Sequence, residues 1–188
     1  MRVTLRLMQR LFCAILSIAA LTAPAAADQT DPRLDGLFEE LRVGDAIRAE
    51  ENIGRIIEIW SDAQSDTVDI LYDRAEMSAN NGAFDLSVAL LDHVVGLAPN
   101  FAQGYAMRGA VRLAQEDRAG AIEDFSKVLE LEPRQFEVRT ALAEILLTAG
   151  EDRDAYEMFQ KVLEWNPHDE HVRNRARKLR EDLDGQEI

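Results

Sequence analysis

Three histidines are the first candidates for chemistry. His168 and His171 stand three residues apart beside Asp169 and Glu170, a spacing that can bring two imidazoles onto one metal ion. Nothing nearby supplies a clear third ligand, and a pair near a helix start reads as surface, so no metal site is assigned. His93 is alone among apolar neighbours and reads as structural. The carboxylates Asp69, Asp73 and Glu76 lie close in sequence. In a chain with 35 acidic residues, such nearness does not by itself imply acid–base work. There is no nucleophile motif, no Gly-rich phosphate loop and no redox Cys pair. The expectation is a binding protein, with no enzymatic activity and no cofactor.

Charge narrows the partners. The 188 residues carry 21 Lys and Arg against 35 Asp and Glu, a formal charge of −14. Nucleic acid is excluded as a partner, because its phosphates demand Lys and Arg. Two readings of the acidity stand, plain solubility and attraction of a basic partner. One segment departs from the pattern: Arg173, Arg175, Arg177, Lys178 and Arg180 cluster near the end. That cluster is either a solubilising outer face or a contact for an anionic head group or acidic partner.

These residues must be positioned by the rest of the chain, and its start is set apart. Arg2, Arg6 and Arg10 are the only charges before Asp28; an apolar run, residues 11–23, comes next and ends in Pro24-Ala25-Ala26-Ala27. This is the plan of a secretory signal peptide over residues 1–27, cut after Ala27. The alternative is a retained anchor, but the apolar run falls short of the ~20 residues a spanning helix needs. Cys13 lies early in that run without the small residues that precede a lipidated cysteine. The expected location is periplasmic. Cleavage leaves 18 basic residues against 35 acidic, a formal charge of −17, and no cysteine.

Residues 28–33 read as a flexible start. Asp31-Pro32 then marks a helix start, and Leu34, Leu37, Phe38 and Leu41 share one helical face. A second helix, about 46–62, carries Ile53, Ile56, Ile57 and Trp60 at helical spacing. Gly54 inside it predicts a close contact. Residues 34–65 together read as a degenerate helical pair, capping the front of a helical stack.

The stack itself is a repeat of 34 residues, closed by Pro99, Pro133 and Pro167. The clearest copy, 102–135, carries Tyr105, Gly109, Ala121, Phe125 and Val128: an aromatic wedge, two small residues, a knob and a branched residue. The copy at 68–101 carries Leu71, Ala75, Ser87, Leu91 and Val94, with Met77 and Leu97 also assigned to its apolar faces. The copy at 136–169 carries Ala143, Ala155, Phe159 and Val162, with Arg139 where the first aromatic belongs. A fixed period of this length signals stacked helical units, each hiding its apolar faces against the next. Residues 169–183 form a final helix with Val172, Ala176, Leu179 and Leu183 on one stripe, a cap for the stack. Residues 184–188 read as a tail. The fold class is all-α.

These motifs resemble the tetratricopeptide repeat family over roughly Val68 to Leu183, and the chain as a whole resembles small exported bacterial members. The resemblance implies a right-handed α-solenoid with a concave groove lined by the first helix of each pair, binding peptides or proteins. It places the groove positions at Asp69, Tyr72, Asp73, Glu76 and Asn80 in the first unit. In the second they are Gln103, Met107, Ala110 and Leu113; in the third, Glu137, Thr140, Glu144 and Leu147. None is Lys or Arg, which argues against a clamp for a peptide carboxylate. The groove reads as acidic, suited to a basic or amphipathic segment, unless these acids are only a solvated face. The implied function is a periplasmic adaptor or scaffold; the alternative is an envelope-assembly or membrane-surface factor docking through its basic last helix.

Overall fold

A computed structural model describes residues 31–186. The expected signal peptide lies outside the described residues, as do the first half of the flexible start and the end of the tail. Among the described residues there are nine helices and no strand. They are α1 (Arg33–Val43), α2 (Ala46–Ser61), α3 (Asp66–Asn80), α4 (Phe84–Leu97), α5 (Ala102–Ala114), α6 (Arg118–Leu131), α7 (Phe136–Ala149), α8 (Asp152–Trp165) and α9 (Glu170–Gln186). The chain folds as the all-α helical repeat that the period implies.

Local chemistry sets the boundaries. Asp45 caps α2 by accepting from the Arg48 N–H at 2.9 Å. Asp117 caps α6 by accepting from Gly120 at 3.0 Å. Such a cap is worth ~1 kcal/mol. Gly150 ends α7 with φ of 80°, the left-handed conformation that glycine adopts without steric cost. The three period-closing prolines lie in the loops after α4, α6 and α8, where the missing N–H and the ring do no damage.

The pairs α3–α4, α5–α6 and α7–α8 each close a helical hairpin, and α5 packs on α4 as α7 packs on α6. The repeat positions explain why. Ser87, Ala121 and Ala155 are fully buried, as are Leu91, Phe125 and Phe159 one turn on. A Cβ on Gly109 would come within 2.6 Å of the Phe125 ring, so glycine is what lets the ring seat against α5. Burying such a ring contributes roughly 1.5–3 kcal/mol. Between the first two units the contact is ionic as well. Asp124 in α6 is buried and accepts from Arg108 (2.6 Å) and Arg112 (2.9 Å), while Arg108 also reaches Asp92 of α4 at 2.7 Å. One arginine thus ties three helices, with its charge matched on both sides. At the far end, Val172, Ala176 and Leu179 of α9 are buried against the third unit, as a cap requires.

The structure corrects the expected place of the first pair. The pair α1–α2 does not cap the front of the stack. Its apolar face joins a single cluster with the third unit and α9. Phe38 lies 5.8 Å from Trp60 and 5.7 Å from Trp165, and Trp60 lies 5.6 Å from Phe136, ring centre to ring centre. Arg134, in the loop between α6 and α7, stands 4.6 Å above the Phe38 ring and bonds Asp35 at 2.7 Å and Glu132 at 2.8 Å. The reason is legible in the 34-residue register. Where the stacked units place small residues, Ala75, Gly109 and Ala143, this pair has Leu41; where they place Ser87, Ala121 and Ala155, it has Ile53. Trp60 falls where they place Val94, Val128 and Val162. Bulk at those positions denies this pair the close helix–helix approach that Gly109 under Phe125 and Ser87 on Ala75 make within the stacked units, so it does not have their shape. Gly54 is a second correction: it is exposed, and a Cβ there would touch nothing within 4 Å.

Candidate functional site

The leading helices α3, α5 and α7 carry the expected groove positions. Asp73, Glu76, Asn80, Ala110 and Glu137 are exposed, and Asp69, Tyr72, Gln103, Met107, Leu113, Thr140, Glu144 and Leu147 are half-buried. Tyr72 sits at the centre of the first unit's share. Its ring packs edge-on against Phe101 at 5.5 Å, and its hydroxyl meets the Gln103 side chain. Burial, reinforced by Glu76, Glu137 and Asp73, pushes the phenol up to about 12, because the anion would be poorly solvated and would face three carboxylates. Four of the expected residues from three different helices therefore act on one phenol, Gln103 by a hydrogen bond and Glu76, Glu137 and Asp73 through their charges.

The other positions divide. Asp69 accepts from the Ala63 N–H at 3.3 Å. Burial, with repulsion from Asp62, Asp66 and Asp73, raises its carboxyl above the usual range. Met107 packs with Tyr72, Ala75, Leu91 and Val111, and Leu113 packs in the second unit's own core. Thr140 spends its hydroxyl on the Phe136 carbonyl at 2.9 Å. Glu144 accepts from Arg175 Nε of α9 at 2.9 Å and faces His171 at 3.8 Å. The acidic character is thus concentrated in the first unit, while the third unit's Glu144 is neutralised from within.

The hairpin α1–α2 builds the opposite wall. Between it and α3 lies an open cleft of about 520 Å³, lined on the helix side by Asp69, Tyr72 and Asp73 and on the hairpin side by Leu37, Arg55 and Ile59. Arg33, Glu58 and Asp62 line it as well. Sequence reasoning missed this wall. The family register says nothing about a segment that leaves the stack, and the contacts that fold the hairpin back join residues as far apart as Asp35 and Arg134. Arg55 brings a cation to a surface whose repeat-derived positions contain none.

The basic cluster of α9 is largely used inside the fold or along its own helix. Arg175 holds Glu144, Arg173 lies 3.5 Å from Glu170 and Arg180 lies 3.8 Å from Asp184. Among the described residues no three His, Cys, Asp or Glu side chains converge as a metal cage, and no helix is long and apolar enough to cross a membrane.

Comparison with known proteins fits this geometry. The family model described as tetratricopeptide repeat matches residues 112–179, spanning the end of α5 to α9, which are stacked here as helical pairs. Those residues of the chain are tetratricopeptide repeats. A TPR repeat-containing protein of Rhizobium etli is 26% identical over 161 residues, 85% of this chain and 79% of that protein. Among solved structures, the first TPR of Spaghetti (RPAP3), bound to the HSP90 peptide SRMEEVD, superposes with a TM-score of 0.57 at 16% identity. That match covers 62% of this chain and 92% of the other. The Yersinia enterocolitica type III secretion chaperone SycD, in complex with a peptide of the translocator YopD, gives a TM-score of 0.59 at 19% identity. It covers 63% of this chain and 96% of that one. At such identities the two structures speak for the fold of the tetratricopeptide repeats, in which each pair rests on the next.

Proposed function

We propose that this protein is an adaptor or scaffold that holds a basic, amphipathic protein segment in the cleft between α3 and the α1–α2 hairpin. The observation that carries this reading is the negative field that Asp73, Glu76 and Glu137 set up at Tyr72, beside a cleft with Leu37 and Ile59 on its far wall. Acids select a cationic segment and set its approach rate, and the ring and aliphatic wall bury its apolar side. The RPAP3 and SycD structures both hold peptides, which supports binding as the style of function. Nothing in the cleft combines a nucleophile with a base, and we read it as a binding surface rather than a catalytic one.

The proposed setting is the periplasm, after removal of residues 1–27. It rests on the charged start, apolar run and small-residue end of that segment. N-terminal sequencing of protein recovered from an envelope fraction is expected to begin at Asp28.

Fluorescence anisotropy tests the site, using a labelled Lys/Leu amphipathic peptide and its Glu/Leu counterpart. The Lys/Leu peptide is expected to bind, with affinity that falls as salt rises. Asp73→Lys with Glu76→Lys is expected to weaken it by about ten-fold or more. Equal binding of both peptides, or no effect of the double substitution, moves the site away from this cleft.

A further inference from the structure

On its leading helix the first repeat exposes positions that the later repeats bury. On α3 and its C-cap, Ile70, Arg74, Met77 and Asn81 succeed one another at helical spacing. On α4, Leu86, Leu90, His93 and Leu97 do the same. The two stripes are neighbours: Arg74, Met77 and Asn81 share a shallow groove with Leu86 and Leu90. Ile70 is 53% exposed and Met77 64%. One period on, the position of Met77 is held by Val111, 5% exposed; two periods on, that of Ile70 is held by Val138, 4% exposed. The later positions are covered by the preceding unit. The first unit has a preceding pair in sequence, but that pair folds onto the third unit. Met77 and Leu97, expected from the sequence to be internal, are therefore bare.

The register also says what the missing neighbour would bring. Arg74 stands 34 residues before Arg108, and Arg108 takes Asp92 from the preceding trailing helix at 2.7 Å. Neither stripe on the first unit contains an acid, and Arg74 and His93 are its charged or chargeable members. We infer that this face is a docking surface for an amphipathic helix of a partner protein, one that carries an apolar stripe and a carboxylate in the place of Asp92. It seats on α3 as α4 seats on α5, burying Ile70 and Met77 and pairing its acid with Arg74. A second copy of this chain is the poorer occupant. Its last unit is sealed by α9, and a face-to-face copy would set the same acid-free stripes against each other. The surface is separate from the cleft beside Tyr72 and faces a partner of opposite charge preference.

The probe is a labelled peptide of residues 83–98, the chain's own α4, with Leu86→Gln, Leu90→Gln and Leu97→Gln for solubility. Added to the purified protein, it is expected to give saturable anisotropy. Met77→Glu in the protein, an exposed position that leaves the melting temperature unchanged, is expected to weaken binding by about ten-fold. Asp92→Lys in the peptide is expected to weaken it by about five-fold and to be restored by Arg74→Glu in the protein. Glu76→Lys, in the other site, is expected to leave it unchanged. Absence of saturable binding up to about 1 mM, or binding indifferent to Met77→Glu, overturns the inference. So does a concentration-dependent dimer in sedimentation that Met77→Glu dissociates, since the face would then belong to a second copy.

Discussion

Two interfaces hold this molecule together, and they are built on different rules. In the stack, a glycine sits under a phenylalanine within the second repeat, at positions that recur every 34 residues, and Arg108 holds Asp124 of its own repeat while reaching Asp92 of the first. Between the α1–α2 hairpin and the third repeat, contact is made by four aromatic rings and Arg134, none of them in repeat register with the other interface. The first interface tolerates only small residues at its crossing points. The second is what remains open to a pair whose crossing points carry Leu41 and Ile53. Repeat degeneration here is therefore not decay. It redirects a hairpin from the end of the stack to its side, where it becomes a wall of the cleft.

The largest test of that contrast is Trp60→Ala. Trp60 is buried and touches both Phe38 and Phe136. Its truncation should cost about 3–5 kcal/mol, the range for large aromatic deletions from cores. Because the hairpin shares one apolar cluster with the third repeat and α9, the loss should show as a lower midpoint of a single thermal transition. A separate early transition with the main one unmoved would show that the hairpin only rests on the stack.

Asp124→Ala breaks the ion network of the stack, in which Arg108 also reaches Asp92 of the first repeat. It leaves Arg108 and Arg112 facing each other without the carboxylate between them. Removing one partner of an enclosed ion pair costs about 3–5 kcal/mol; here about 2–3 kcal/mol is expected, because both arginines keep some contact with water. Chemical denaturation at two salt concentrations checks it. A change below about 0.5 kcal/mol would mean that the repeat interface is held by packing alone.

The two interfaces are not equally readable in the sequence. The stacked units, their turns and the cap are plain, because close packing demands the same residue types at the same spacing in each copy. Tyr72, Asp73, Glu76 and Glu137 are assigned to one surface by the family's groove positions, and the charges of the three acids all bear on the Tyr72 phenol. The hairpin's destination is not readable. Arg134 and Asp35 are 99 residues apart, and no periodicity links Trp60 to Phe136. The misplacement of Met77 and Leu97 stems from that same gap: their exposure depends on where another segment goes. The bulky residues at the hairpin's crossing positions are visible as departures from the pattern, and they are the signal that argues against stacking it in front.

The smallest effect sharpens the comparison most, because it reads one interface through the other. Tyr72 belongs to the stack, and the hairpin shares its cleft. Its phenol is pushed up to about 12, chiefly by burial, against an ordinary value near 10. A group that holds its proton more tightly when folded gives stability that is complete below about pH 10. That stability is lost as pH rises toward about 12, since the unfolded chain ionises first. The phenolate absorbance of the native protein, minus that of Tyr72→Phe, should therefore rise near pH 12, and the Tyr72→Phe protein should lose less stability between about pH 10 and 12. In the Trp60→Ala background, loosening of the hairpin should admit water to the cleft and move the difference curve toward about pH 10. A curve centred near that ordinary value in the wild type would mean that the cleft is already open. One fixed at the raised value in both would mean that Phe101 and the neighbouring carboxylates, rather than the hairpin, keep the phenol protonated.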